Sequence, residues 1–172
     1  MTGQFRIEVL GIQHDREKFS CGVEALDRYF LERVTQDVRR RATVCYVALA
    51  SDTDRVAGYY TLAAGGVPLT DIPEDIIKRL PRYPSVPVAK LGRLAIDVDF
   101  QGQRLGGALL WDAVMRALRS EVAVFALVVD AKDDHAETFY RHHGFTTLGS
   151  LPQQLILPLT NLTFKDSTRI AQ

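Results

Sequence analysis

Apolar and polar positions along this chain follow two periods in turn. Phe5 to Leu10 alternates with period two, as a half-buried strand does. From Leu26 the apolar positions Leu26, Tyr29, Phe30, Val34 and Val38 recur at helical spacing, with Arg28, Arg39 and Arg40 on the other side. Ser20 is the expected N-cap of that helix, although the Glu of a capping box is missing. Thr43 to Ala50 and Arg55 to Ala63 are rich in Val and Tyr and are separated by Ser51-Asp-Thr-Asp54, which predicts a hairpin. Val88 to Asp97 reads as the next strand. Leu105, Leu109, Leu110, Ala113, Val114, Ala117 and Leu118 then form the wide apolar stripe of a helix. Val122 to Val129 is nearly all apolar, the mark of a strand buried on both faces. A short helix from Asp134 to His142 is expected to stop at Gly144 as its C′ glycine. Phe145 to Leu148 and Gln154 to Leu159 read as closing strands. The order predicts an α/β fold around a sheet of mixed direction.

Composition adds bounds. A chain of 172 residues, 47% hydrophobic and 24% charged, fits one globular domain over 1–172. That size needs no disulfide or metal staple. Five of the seven prolines fall between Gly65 and Val88, which predicts a long, partly ordered surface loop. Within it Pro73 opens a short helix that Pro81 closes. The N-terminal residues show no charged segment followed by an apolar one, so no secretory signal is expected. No run of 18 apolar residues predicts a membrane span. Cys21 and Cys45 lack C-x-x-C spacing and fit reduced thiols in a cytoplasm. His135, His142 and His143 lack the companions of a metal site, so no metal is expected.

Charge balances in total but not by position. Lys plus Arg equals Asp plus Glu at 21 each, which excludes a generally basic nucleic-acid coat protein. Yet Arg28 to Arg41 holds five arginines against Glu32 and Asp37, and Lys78 to Ile96 holds Lys78, Arg79, Arg82, Lys90 and Arg93 with no acid. Such segments can grip phosphates, and they also fit ordinary solvated surface.

The chemistry-bearing stretch is Gln101-Gly-Gln-Arg-Leu-Gly-Gly107, between a strand and a helix. Backbone N–H groups at a helix start have no intrahelical partner, and the helix dipole adds positive potential there. Glycines let a pyrophosphate approach, and Gln101, Gln103 and Arg104 supply polar arms. The same pattern fits a tight strand–helix turn without a ligand. No G-K-[ST] follows, so this is not a triphosphate-binding P-loop.

Leu91-Gly-Arg-Leu-Ala-Ile-Asp97, the glycine loop through Leu110, and Ala136-Glu-Thr-Phe-Tyr-Arg-His-His-Gly-Phe145 together resemble the GNAT superfamily of N-acetyltransferases. With Phe19 to Leu31, Gln36-Asp37 and Gly58 to Leu62 added, the likeness narrows to the toxins of bacterial toxin–antitoxin pairs, of TacT and AtaT type. The resemblance implies a GNAT fold: a mixed, mostly antiparallel, twisted sheet of six to seven strands with helices on both faces. It implies acetyl-CoA in a splay between the fourth and fifth strands, held by Leu94, Ala95, Ile96, Gln101, Gly102, Gln103, Arg104, Leu105, Gly106 and Gly107. Arg104 departs from the pattern, standing where the family has its first glycine. Tyr140 falls at the family's general acid, a position that also suits a core tyrosine.

By the same likeness the substrate is the α-amine of aminoacyl-tRNA, gripped by Arg28, Arg39, Arg40, Arg79, Arg82, Lys90 and Arg93. The implied partners are a ribbon-helix-helix antitoxin and a second copy of the chain. A small-molecule amine, a protein N-terminus, or a non-catalytic CoA-binding module remain alternatives.

Overall fold

Tyr- and Val-rich segments on either side of Ser51–Arg55 form the predicted hairpin in a computed structural model, which describes residues 4–149, 151 and 153–162. Strand β1 (Phe5–Val9) pairs antiparallel with β2 (Val44–Ala50), and β2 with β3 (Val56–Pro68). Strands β4 (Ser85–Ile96), β5 (Ala126–Asp130), β6 (Thr146–Thr147) and β7 (Gln154–Pro158) complete a seven-stranded sheet of order β1-β2-β3-β4-β5-β7-β6. β4 and β5 run parallel, whereas β7 is antiparallel to both β5 and β6, so the sheet is mixed as predicted. The chain falls into two compact units, Met1–Ala63 with Gly92–Ala113, and Ala64–Leu91 with Val114–Gln172.

The first unit buries the helical segment after β1. Its apolar spacing yields α1 (Glu24–Arg28), a π-helical turn over Tyr29–Arg33, and α2 (Val34–Arg39). The wider turn brings the consecutive residues Tyr29 and Phe30 both into the core, which a regular helix does less readily. Phe30 stacks on Tyr59 at 4.2 Å between ring centroids, with Phe19 edge-on to both. Ser20 is not the N-cap: Val23 precedes the helix without a side-chain cap. The Ser20 N–H instead donates to Asp97 at 3.0 Å, and its carbonyl accepts Val98 N–H, so tertiary bonds claim the residue.

The second unit corrects the long-loop expectation. β3 runs on to Pro68, a 3-10 turn covers Leu69–Asp71, and α3 (Glu74–Ile77) follows Pro73 at the predicted place. Val67, Ile72, Ile76 and Val86 enter an apolar core with Val88, Ala126, Val128 and Ile156, and that burial orders the segment. Pro68 ends β3 and Pro73 precedes α3, where no ladder N–H is needed, whereas Pro87 lies near the start of β4. β5 is buried throughout Ala126–Val129 but starts four residues later than predicted, since Val122 is exposed. In α4 (Leu105–Leu118) the predicted stripe is buried except for Leu118, which is exposed at the helix end. α5 (Asp134–His142) is capped by the Asp133 carboxylate on Ala136 N–H, and Gly144 follows at φ +95° as predicted.

Candidate active site

β4 ends at a buried acid. Asp97 is 1% exposed, and its carboxylate accepts N–H bonds from Ser20 and Asp99 and a bond from the Arg55 guanidinium. The Asp97-Val-Asp99 spacing makes this an Asp-capped turn leading into the glycine loop. Sequence reasoning passed over Asp97, although the Asp-x-Asp after a strand is a recognisable turn signal.

Backbone alternation along β4 decides which N–H groups are available. The Arg93 N–H donates to the Thr61 hydroxyl at 3.1 Å, and the Asp97 N–H to the Ala57 carbonyl at 2.9 Å, both on β3. Successive N–H groups of a strand point to opposite edges, so those of Leu94 and Ile96 face away from β3. The ladder of β4 with β5 spans Val88–Leu91 and stops before them. Of the expected Leu94, Ala95 and Ile96, the first and third therefore present donors, while Ala95 is turned toward β3 and buried.

The loop fits a diphosphate. The first bond into α4 runs from Ala108 N–H to the Arg104 carbonyl, so the N–H groups of Leu105, Gly106 and Gly107 stand at the open end of a 14-residue helix with no acid in its first turn. Gly102 takes φ +79° and a Cβ there would meet nothing within 4 Å, which leaves approach space over the loop. Gln101 is spent internally: its side-chain amide donates to the carbonyls of Ile96 at 3.0 Å and Cys21 at 3.1 Å, pinning loop to strand. Gln103 is exposed and shares a cleft with Phe5, Ser51, Asp52 and Phe100.

Arg104, in the place of the family's glycine, adopts φ +62°. The left-handed conformation that glycine takes freely is thus kept by a residue for which it costs about 1–2 kcal/mol. Arg104→Gly relieves that strain but adds glycine's larger unfolded-state entropy, about 0.5–1 kcal/mol. The net expectation is a gain of about 0.5–1 kcal/mol, read as a melting temperature higher by roughly 1–4 °C. A lower melting temperature in the glycine variant contradicts the strain.

Arg93 lies over Tyr29, its guanidinium carbon 3.4 Å from the ring centroid, and the Tyr29 hydroxyl donates to Asp37 at 2.8 Å. Burial, then the Asp37 bond, pushes the Tyr29 phenol up to about 12. Arg28 is ion-paired with Glu24 in the same helix, while Arg39 and Arg40 are exposed at the end of α2. These belong to the first unit with the loop. Arg79, Arg82 and Lys90 belong to the second and are exposed; the Lys90 stem lies so close to Gly65 that a Cβ there would come within 2.8 Å of it.

Tyr140 also belongs to the second unit, on the apolar side of α5. It is 6% exposed, with ring centroids of Phe139 and Phe145 at 5.1 and 5.4 Å. Burial raises its phenol above the ordinary tyrosine value, which keeps the proton on at neutral pH.

The acetyltransferase (GNAT) family profile matches residues 12–145. A tRNA-acetylating toxin of Mycobacterium tuberculosis (strain ATCC 25618 / H37Rv) is 34% identical over 145 residues, 83% of this chain and 85% of the relative. Among solved structures, AtaT complexed with acetyl-methionyl-tRNAfMet is similar at a TM-score of 0.79 and 30% identity, over 91% of this chain and 96% of that one. A tyrosine-to-phenylalanine mutant of the AtaT toxin, bound to the C-terminus of the antitoxin AtaR and acetyl-CoA, matches at a TM-score of 0.74 and 27% identity, over 92% and 95%. With its mixed seven-stranded sheet and a family match over most of its length, this chain belongs to the GNAT acetyltransferase family.

Proposed function

We propose that this chain is a toxin-type acetyltransferase that moves the acetyl group of acetyl-CoA onto the α-amine of aminoacyl-tRNA, and so blocks translation. The observation that carries this reading is agreement over most of the chain with a tRNA-acetylating toxin and with AtaT complexed with acetyl-methionyl-tRNAfMet. The two units act together as one domain, a reading supported by strands β3 and β4 and helix α4, each of which passes from one unit into the other.

Acetyl-CoA supplies an acetyl thioester, and its diphosphate takes the N–H groups of Leu105, Gly106 and Gly107. One N–H of the strand, that of Leu94, donates to the acetyl oxygen as negative charge develops on it, and the Ile96 N–H, about 7 Å further along the same edge, holds the pantetheine arm. Tyr140 donates its phenolic proton to the departing sulfur. An α-amine with pKa about 7.7–8.0 is partly neutral at physiological pH, so it demands less of a base than a lysine near 10.4. Arg39 and Arg40, with Arg28, Arg79, Arg82, Lys90 and Arg93, bind the phosphates of the tRNA. A neighbouring antitoxin of ribbon-helix-helix type and a second copy of the chain complete the partners. The work is placed in the cytoplasm, where charged tRNA is. No helix among the described residues is long and apolar enough to cross a membrane.

The test is acetyl transfer to charged tRNA, uncharged tRNA and free amines in parallel, with label expected in the first alone. Equal labelling of free amines, or none of charged tRNA, sinks the tRNA reading. Reversing two charges with Arg39→Glu and Arg40→Glu is expected to lower kcat/KM for tRNA at least tenfold at low salt. It should also flatten the salt dependence by a slope of about 1–2 while leaving acetyl-CoA affinity unchanged.

A further inference from the structure

Among the described residues, two polar or charged residues, tyrosines and cysteines aside, are buried as whole residues: Thr61 and Asp97. A buried polar group is costly unless bonded, and both are bonded to β4 or its end, on either side of Leu94–Ile96. Thr61 is the less expected of the two. The register set by Asp97 N–H on the Ala57 carbonyl places Thr61 opposite Arg93, where a regular ladder uses main-chain carbonyls. Here the Thr61 hydroxyl itself reaches the Arg93 N–H at 3.1 Å. It is wedged so tightly that a Cβ on Gly92 would stand 2.8 Å from its oxygen. The wedge sits where the β4–β5 ladder has just ended at Leu91.

We infer that Thr61 is a positioning residue for acetyl transfer: by holding the Arg93 N–H toward β3, its hydroxyl turns the adjoining Leu94 N–H to the opposite edge, at the acetyl oxygen. Gly92 supplies the room, and Asp97 anchors the other end of the segment. The inference rests on the proposed role of the Leu94 N–H group, and its test separates the two.

Thr61→Val keeps the shape and removes the acceptor, whereas Thr61→Ser keeps the acceptor and removes a methyl group. The valine variant is expected to lose about tenfold in kcat, with KM for acetyl-CoA and affinity for CoA within about twofold, because a misaimed donor forfeits part of the oxyanion stabilisation. Serine restores most of the rate. The infrared carbonyl stretch of bound 13C-acetyl-CoA reads the same bond without turnover. It should be lowered in the wild type and in Thr61→Ser, and lie closer to its free value in Thr61→Val. A wild-type stretch at its free value defeats the donor reading, and with it this inference. A lowered stretch that Thr61→Val leaves in place overturns the role of Thr61 alone, as does a variant that is merely less stable at unchanged kcat.

Discussion

Tyr140→Phe is expected to lower kcat by about 10²–10³ while leaving acetyl-CoA affinity within about twofold, because it removes the hydroxyl and its proton but keeps the packing ring. The ring stays among Phe139 and Phe145, so the fold has no reason to change. Calorimetry with acetyl-CoA and single-turnover transfer measure the two quantities separately. Tight binding with undiminished turnover would remove Tyr140 from the chemistry and return it to the core. The pH profile gives an independent measure. A general acid works while it holds its proton, so the rate falls as pH rises through the phenol's pKa. Burial raises that value above the ordinary tyrosine range of about 10. An alkaline limb due to Tyr140 should therefore set in above that range; one beginning below about pH 9 and absent from the phenylalanine variant contradicts the burial argument.

The largest expected effect on stability is at Asp97. Asp97→Ala strips the acceptor from the N–H groups of Ser20 and Asp99 and unpairs one bond of Arg55. Arg55 is partly exposed and keeps Asp99 at 2.7 Å, so the ion pair contributes little after solvent screening. The cost comes mainly from two donors left without their carboxylate, about 3 kcal/mol together. For a chain of this length that is a melting temperature lower by roughly 6–12 °C. Asp97→Asn retains one acceptor oxygen and should lose about half as much. Denaturant titration of the three proteins checks the order, and equal stability of alanine variant and wild type would refute it. Acetyl-CoA affinity should fall with stability, since the turn capped by Asp97 leads directly into the loop at Gln101.

Much of the fold was legible because burial follows local periodicity wherever one face of an element meets the core. The hairpin, the stripe of α4, the buried run Ala126–Val129 of β5 and the C′ glycine after α5 are cases of this kind. The segment from Gly65 to Val88 was not legible, because its prolines speak for a loop and its apolar residues for a core. Which signal wins depends on what Val67, Ile72, Ile76 and Val86 meet, and those partners lie far along the chain at Ala126, Val128 and Ile156. Ser20 misled for a related reason: a good cap residue stands near a helix start, but its backbone is claimed by Asp97, 77 residues away.

The candidate site divides along the same line. The amino-acid sequence by itself determined the strand–glycine-loop–helix unit, the tyrosine of α5 and the arginines along α1 and α2, because each is carried by contiguous residues with a local pattern. It also marked Arg104 as a departure, though not that its backbone keeps the left-handed turn. Only the tertiary structure decided which strand N–H groups face away from β3 and which side chains are already occupied. Gln101 has spent its amide on two carbonyls, Arg93 lies on Tyr29, and Thr61 has taken the Arg93 N–H. Hydrogen-bond donors are allotted by proximity in space, and a threonine in an apolar strand carries no mark in its neighbours that its hydroxyl will meet another strand.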